Sequence, residues 1–210
     1  MTNQIITPRI YVSVLADYNN GRMHGAWIDC DQDIDSIVQE IHQLYITSSD
    51  PNVTATVCQN CGHIKLYEHD TCSGCGSDNV KHVASAEEYA IHDYEGFGPF
   101  TVSEYSSVVE VVRMAEILNN DSDSEHVALD FLVNHLNYEL NDIKGKLDAV
   151  CIFNGSRSDY AEELTADCGR EVPDWLSYYI DYDAIGRDME INGEIVEIDH
   201  NIYVTNSQEL

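Results

Sequence analysis

Apolar and polar positions change their period several times along the 210-residue chain, and each change marks an element. From Arg9 to Leu15 they alternate, the pattern of a half-buried strand. Tyr18-Asn19-Asn20-Gly21 reads as a turn into a second strand from His24 to Ile28, so a hairpin is expected. Behind Asp31 and Asp33, acids suited to a helix start, Ile34, Ile37, Val38, Ile41 and Leu44 recur on one helical face. After Thr47 the pattern dissolves into Ser, Thr, Asp and Pro, and residues 48–85 read as an insertion. Extended patterning returns from Glu87 to Glu95, enough to complete the first sheet, and Gly96, Gly98 and Pro99 end it.

The second half is mainly helical in period. Thr101 and Glu104 have capping-box spacing, and Tyr105, Val108, Val112, Ala115 and Leu118 follow on one face. After a polar break, Val127, Phe131, Leu132, His135, Leu136 and Leu140 trace a second helix. A third spans 159–167, capped by Ser158 and stopped by Gly169, and Pro173 opens a fourth with Trp175, Leu176, Tyr179 and Ile180 on its buried side, closed by Gly186. Residues 189–204 form a hairpin whose last strand is expected at an exposed edge, open to a second copy of the chain. The class is therefore α+β: an elongated chain of small α/β and helical units. Residues 1–47 with 86–99 make an N-terminal α/β domain, 48–85 an inserted ribbon, 100–150 a central helical domain and 151–210 a C-terminal α+β domain.

Charge changes this picture most. Asp and Glu number 38 against 10 Lys and Arg, a formal charge of -28. The acids form no run; they alternate with apolar residues as they do on folded amphipathic surfaces, and only 4 of them fall in 48–85. Such a charge opposes compaction, favours basic partners and argues against direct nucleic-acid binding, which rests on cations meeting phosphates. No segment has the apolar length of a membrane span and the first residues lack a signal-peptide pattern, so the cytoplasm is expected.

Four of the seven cysteines fall into two pairs, Cys58-x2-Cys61 and Cys72-x2-Cys75, each followed by Gly (Gly62, Gly76). This is the spacing of a four-thiolate zinc ribbon, which leaves no coordination position open, so one structural Zn2+ per chain is expected. His63 and His69 are alternative ligands. Lys65 and Lys81 are the only Lys or Arg from 48 to 85, too few for a phosphate-binding ribbon. Cys30, Cys151 and Cys168 stand alone and are expected to be inert. His92, Asp93 and Glu95 include the residue types of a base and its orienter, but adjacent strand residues face opposite ways, so a surface histidine among acids is expected.

Three segments resemble the ArdA antirestriction family: PRIYVSVLADYNNGRMHGAWID (Pro8 to Asp29), EEYAIHDYEGFG (Glu87 to Gly98) and VPDWLSYYIDYDAIGRDM (Val172 to Met189). They occur in the family's order over nearly the whole chain. Residues 48–85 depart from it, since many members run directly from the first helix into the second segment. The resemblance implies an elongated homodimer without catalytic activity, whose carboxylates imitate the phosphates of bent B-form DNA and occupy the DNA-binding groove of type I restriction-modification enzymes, on the methyltransferase core. Duplex DNA carries one charge per ~1.7 Å, so a dimer's charge would match about 95 Å of duplex. The acids expected to act as phosphate surrogates are Glu104, Glu110, Glu116, Asp121, Asp123, Glu125, Asp130, Asp159, Glu162, Glu163 and Asp174. For dimerisation the C-terminal third is expected to serve, through Tyr179, Tyr182, Ile185, Ile195, Ile198, Ile202 and Val204. Two rivals are an acidic enzyme adapted to salt, for which no catalytic constellation is present, and an acidic zinc-ribbon adaptor for a transcription-related or other basic partner protein.

Overall fold

On strand β1 (Arg9–Val14) Ile10, Val12 and Val14 are fully buried while Arg9 and Tyr11 are half-exposed, the outcome the alternating sequence dictates. Helix α1 (Leu15–Asn19) and Gly21, at φ +75°, turn the chain into β2 (Gly25–Asp29), so a helical turn stands where a simple hairpin turn was expected. The protein is seen here as a computed structural model that describes residues 7–119, 123–167 and 172–210; the side chains of Asp123, Ser124 and Asp174 are outside it. Strand β6 (Tyr89–Glu95) completes an antiparallel sheet of order β2-β1-β6, as the sequence anticipates.

Helix α2 (Ile34–Ile46) starts where Asp33 accepts a hydrogen bond from the Ser36 N–H at 3.0 Å, a side-chain cap on the first turn. Its Ile37, Ile41 and Tyr45 are buried, each such aliphatic side chain contributing about 1.5–3 kcal/mol. The helix packs on β1 and β2, and also on a second antiparallel sheet. That sheet, of order β4-β3-β5, comprises β3 (Val53–Cys58), β4 (Ile64–Leu66) and β5 (Val80–Ser85). Cross-strand neighbours share a face, so Ala55, Leu66 and Val83 lie together with Val57 and Ile64 on a mainly apolar side, with the exposed Lys81 opposite Val57. Helix α2 packs on β4 and β5. The Gln39 carboxamide donates to the Ile64 carbonyl at 3.0 Å and accepts from the Ile64 N–H at 2.7 Å, and His42 Nδ1 lies 2.9 Å from the same carbonyl. At the ribbon's entrance Ser48 Oγ and the Ser49 N–H donate to the buried carboxylate of Asp17, at 2.6 and 3.0 Å. Although residues 48–85 form a sheet of their own, they are tied to the helix that also covers the first sheet.

Helix α3 (Val108–Asn119) also packs on α2, through a face that includes the buried Val111, Val112 and Ala115. Its start differs from expectation. Thr101 and Glu104 are in a loop, Tyr105 is exposed, and Ser107 Oγ accepts from the Glu110 N–H at 3.2 Å. All these elements belong to one compact unit, Met1–Asn120; a second spans Asp121–Leu210.

In the second unit α4 (Asp123–Asp130) runs into a wider turn over Phe131–His135, closed by the Leu136 N–H donating to the Phe131 carbonyl at 3.1 Å. Then come α5 (Leu140–Lys146), β7 (Ile152–Asn154), α6 (Arg157–Asp167), α7 (Asp174–Ser177), α8 (Tyr182–Ile191), β8 (Val196–Asp199) and β9 (Ile202–Val204). Ser156, not Ser158, caps α6: its N–H and hydroxyl both donate to Asp159, which returns a backbone N–H. Gly169, the expected stop, falls outside the described residues. Gly186 does not close a segment; it is buried in mid-α8, where a Cβ would meet the Arg157 carbonyl oxygen at 2.4 Å. Helix α7 lasts only four residues, and its aromatic side is not buried: Trp175 is 70% exposed and Tyr179 80%. The C-terminal hairpin forms, but the sheet order is β7-β9-β8, so the last strand is central and paired on both sides, not an edge. Helices and small antiparallel sheets together make the chain α+β.

Candidate metal centre and acidic surface

Cys58 ends β3, Cys61 lies in the turn before β4, and Cys72 and Cys75 lie in the loop before β5. The two turns are built alike. The Gly62 N–H donates to the Cys58 carbonyl at 3.0 Å and the Gly76 N–H to that of Cys72 at 2.9 Å, with both glycines near φ +75°, a conformation that favours the absence of a Cβ. Backbone N–H groups of Asn60 and Gly74 point at the sulfurs of Cys58 and Cys72, at 3.4 and 3.3 Å. The four ligand atoms lie within 4.8 Å of one another, with Cys58–Cys75 and Cys61–Cys72 sulfur separations of 3.6 Å. A tetrahedral zinc with bonds of about 2.3 Å has sulfur–sulfur edges of about 3.8 Å, so this donor set fits a metal ion. The alternative ligands are engaged elsewhere: His63 Nε2 lies 3.0 Å from Ser73 Oγ, and His69 Nε2 3.0 Å from the Leu66 carbonyl.

Crowding four thiols spreads their acidities. The Ser77 N–H, with the Cys61 thiol, brings Cys75 down to about 6, and the Cys61 N–H lowers Cys58. Cys61 is pulled down by the His63 N–H but driven up to about 12 overall by the neighbouring Cys75 and Cys58. A divalent cation is the natural relief for thiolates held this close. Of the single cysteines, Cys30 is buried and its thiol is pushed up to about 12, mainly by that burial, Cys151 is exposed, and Cys168 is outside the described residues.

Among the expected phosphate surrogates, Glu104, Glu116, Glu162 and Glu163 are exposed, and Glu110, Glu125 and Asp130 are half-exposed. Asp159 is exposed but its carboxylate is the partner of the Ser156 cap, and Asp130 accepts from Asn134 at 2.7 Å. Asp121 and the side chains of Asp123 and Asp174 are outside the described residues. Helix periodicity led past a denser set: Asp29, Asp31, Asp33 and Asp35 are all exposed, as is Glu40. The signal was there, in acids at every second position. Asp31 and Asp33 share with Glu116 the walls of a groove of about 400 Å³, floored by Cys30 and Val112.

Three arginines, in contrast, pair with the chain's own acids. Arg9 pairs with Glu95 and stacks over the Trp27 ring, Arg22 pairs with Asp50, and Arg157 reaches Asp183 at 2.9 Å and Glu190 at 3.2 Å. His92 is neither a surface histidine among acids nor part of a dyad. Its ring stands edge-on to Tyr18 at 4.4 Å, and its Nε2 is buried without a hydrogen-bond partner.

Of the expected dimer residues, Tyr179 and Ile185 are exposed, with Trp175, Tyr178 and Ile191 beside them in the sequence also exposed. Ile198 and Ile202 are half-buried. Ile195 and Val204 are fully buried within their own unit's core, Ile195 in a cluster with Ala161, Met189 and Tyr203 against which Tyr182 packs. Among the described residues no helix is long and apolar enough to cross a membrane.

Comparison with curated proteins returns no similar sequence. The family profile described as antirestriction protein (ArdA) matches residues 10–204, which takes in both compact units and the cysteine-bearing sheet, and the chain therefore belongs to the ArdA antirestriction family.

Proposed function

We propose that this protein protects incoming DNA by acting as its decoy: a cytoplasmic, non-enzymatic homodimer whose carboxylates occupy the DNA-binding groove of a type I restriction-modification enzyme. The observation that carries the reading is the asymmetry between its charges. Exposed acids are spread over both units, while Arg9, Arg22 and Arg157 are neutralised by partners within the chain. A surface of that kind offers a basic groove what a phosphate backbone offers, with no base edges to read, so enzymes of different sequence specificity are equally open to it. The exposed Trp175, Tyr179 and Ile185 support pairing with a second copy, since apolar area of this kind is what an isologous interface covers. The cysteine site is read as one structural Zn2+ per chain held by Cys58, Cys61, Cys72 and Cys75.

Competition tests this directly. Purified protein is expected to displace duplex DNA from a type I methyltransferase core and to block cleavage, with an effect that weakens steeply as salt rises from about 50 to 200 mM. Unchanged cleavage at a large molar excess in low salt would overturn the reading. An adaptor acting through its ribbon would leave cleavage untouched and bind its partner through residues 48–85.

A further inference from the structure

We infer that the metal site is read by helix α2: loading the ribbon clamps the helix through Gln39 and His42, and so sets how firmly its acids are presented. This rests on the metal reading of the four cysteines. Ile64 stands three residues beyond the ligand Cys61, and its position is fixed from both sides. On the ribbon side, the Cys58 N–H donates to the His63 carbonyl at 2.9 Å, closing the turn around the ligands. On the helix side, both polar groups of the Ile64 peptide are taken by α2, the N–H by Gln39 at 2.7 Å and the carbonyl by Gln39 at 3.0 Å and His42 at 2.9 Å. The Ile64 side chain is itself buried.

The ribbon's apolar face lies against α2 and not between the cysteine loops, so without a metal nothing holds the four sulfurs together and the loops open. The peptide of Ile64 then leaves its register, and the Gln39 and His42 side chains lose a partner in a half-buried setting where replacement by water is incomplete. Helix α2 also loses part of the apolar cover that β4 and β5 give it. Its acids, the cap Asp33 with Asp35 and Glu40, are exposed, and Asp33 lines the groove beside α3. Removal of the metal is thereby felt at a surface that no ligand touches.

The test is hydrogen exchange on the full chain, with metal content measured in parallel. The metal-loaded protein, after treatment with a chelator, is expected to exchange about tenfold faster over residues 34–46, to change less over β1, and to recover when Zn2+ is added back. The variant Gln39→Ala is expected to keep its metal, to exchange faster over 34–46 from the outset, and to respond to the chelator less than the parent does. If the metal leaves while 34–46 exchanges as before, the coupling is wrong and the metal reading stands. If the two segments accelerate equally, the clamp is not local and the inference falls. If freshly prepared, reduced protein holds no metal, the metal reading itself fails and the inference falls with it.

Discussion

Helix α2 in the first unit and helix α8 in the second carry comparable acid loads, yet they are held in place by different forces. Around α2 the contacts are apolar on more than one side: Ile37, Ile41 and Tyr45 are buried, with β1 and β2 on one flank and α3 and the ribbon strands on others. Helix α8 is buried only at Gly186 and Met189 and packs on α6 alone among the helices in extensive contact with it. There the close approach of two backbones and the fork of Arg157 onto Asp183 and Glu190 replace a broad apolar face. An exposed ion pair contributes about 0–1 kcal/mol, so the seating of α8 depends on one glycine and a small cluster, while Leu129, Phe131, Leu132 and Ile143 are buried elsewhere in the second unit. A helix that carries exposed carboxylates is thus held either by apolar cover from several elements, as α2 is, or by very close backbone packing, as α8 is.

The largest effect expected from this contrast is at Ile41. Ile41→Ala removes a buried side chain from the meeting point of several elements and should lower the first unit's stability by about 2–5 kcal/mol in urea unfolding. Gly186→Ala is next: the added methyl is driven against the Arg157 backbone, and about 1–3 kcal/mol should be lost from the second unit alone. A first unit indifferent to Ile41→Ala, or a second unit that accepts the methyl, would remove the distinction drawn here.

Acid should separate the units more gently. Burial lowers the pKa of His42, against the opposing pull of the Ile64 carbonyl and with the His63 charge adding to the lowering. Its protonated form is therefore disfavoured in the fold, so this contribution is present above the ordinary histidine value of about 6.5 and is lost as pH falls from there through the depressed value. In the second unit the Arg157 hydrogen bond holds Asp183 below the usual carboxylate range. That contribution is present above about pH 4 and is lost only as pH falls through the depressed value. Exchange-detected melting at pH 7, 5.5 and 3.5 should show the first unit responding to the first step and the second to the last. The smallest effects should come from single surface acids. Glu162→Ala is expected to change stability by no more than about 0.5 kcal/mol and inhibition of cleavage only slightly, because a charge surface acts collectively.

Much of this architecture was legible in the order of residues. Alternation placed β1 and β6, Asp33 and the Ile37 to Ile41 spacing placed α2, and paired cysteines with their glycines placed the two cysteine turns, because each of these signals is local and fixed by backbone geometry. The failures share a cause. Tyr179 and Trp175 read as a buried helical face from their spacing, but spacing reports which residues share a side and not whether anything covers it. Gly186 read as a stop, since nothing nearby in sequence announces Arg157, 29 positions earlier, pressing on it. Likewise a C-terminal strand reads as an edge until another strand, here β7, is known to pair with its free side.

The sequence alone determined the charge, the period of its most regular elements, the cysteine spacing and the family, since all of these follow from residue identity and short-range geometry. Tertiary structure alone decided that the ribbon rests on α2, that Arg9, Arg22 and Arg157 spend their charge on the chain's own acids, and that Ile195 and Val204 lie inside. Those outcomes depend on which distant surfaces meet, and burial and pairing energies are properties of the meeting, not of either segment taken by itself.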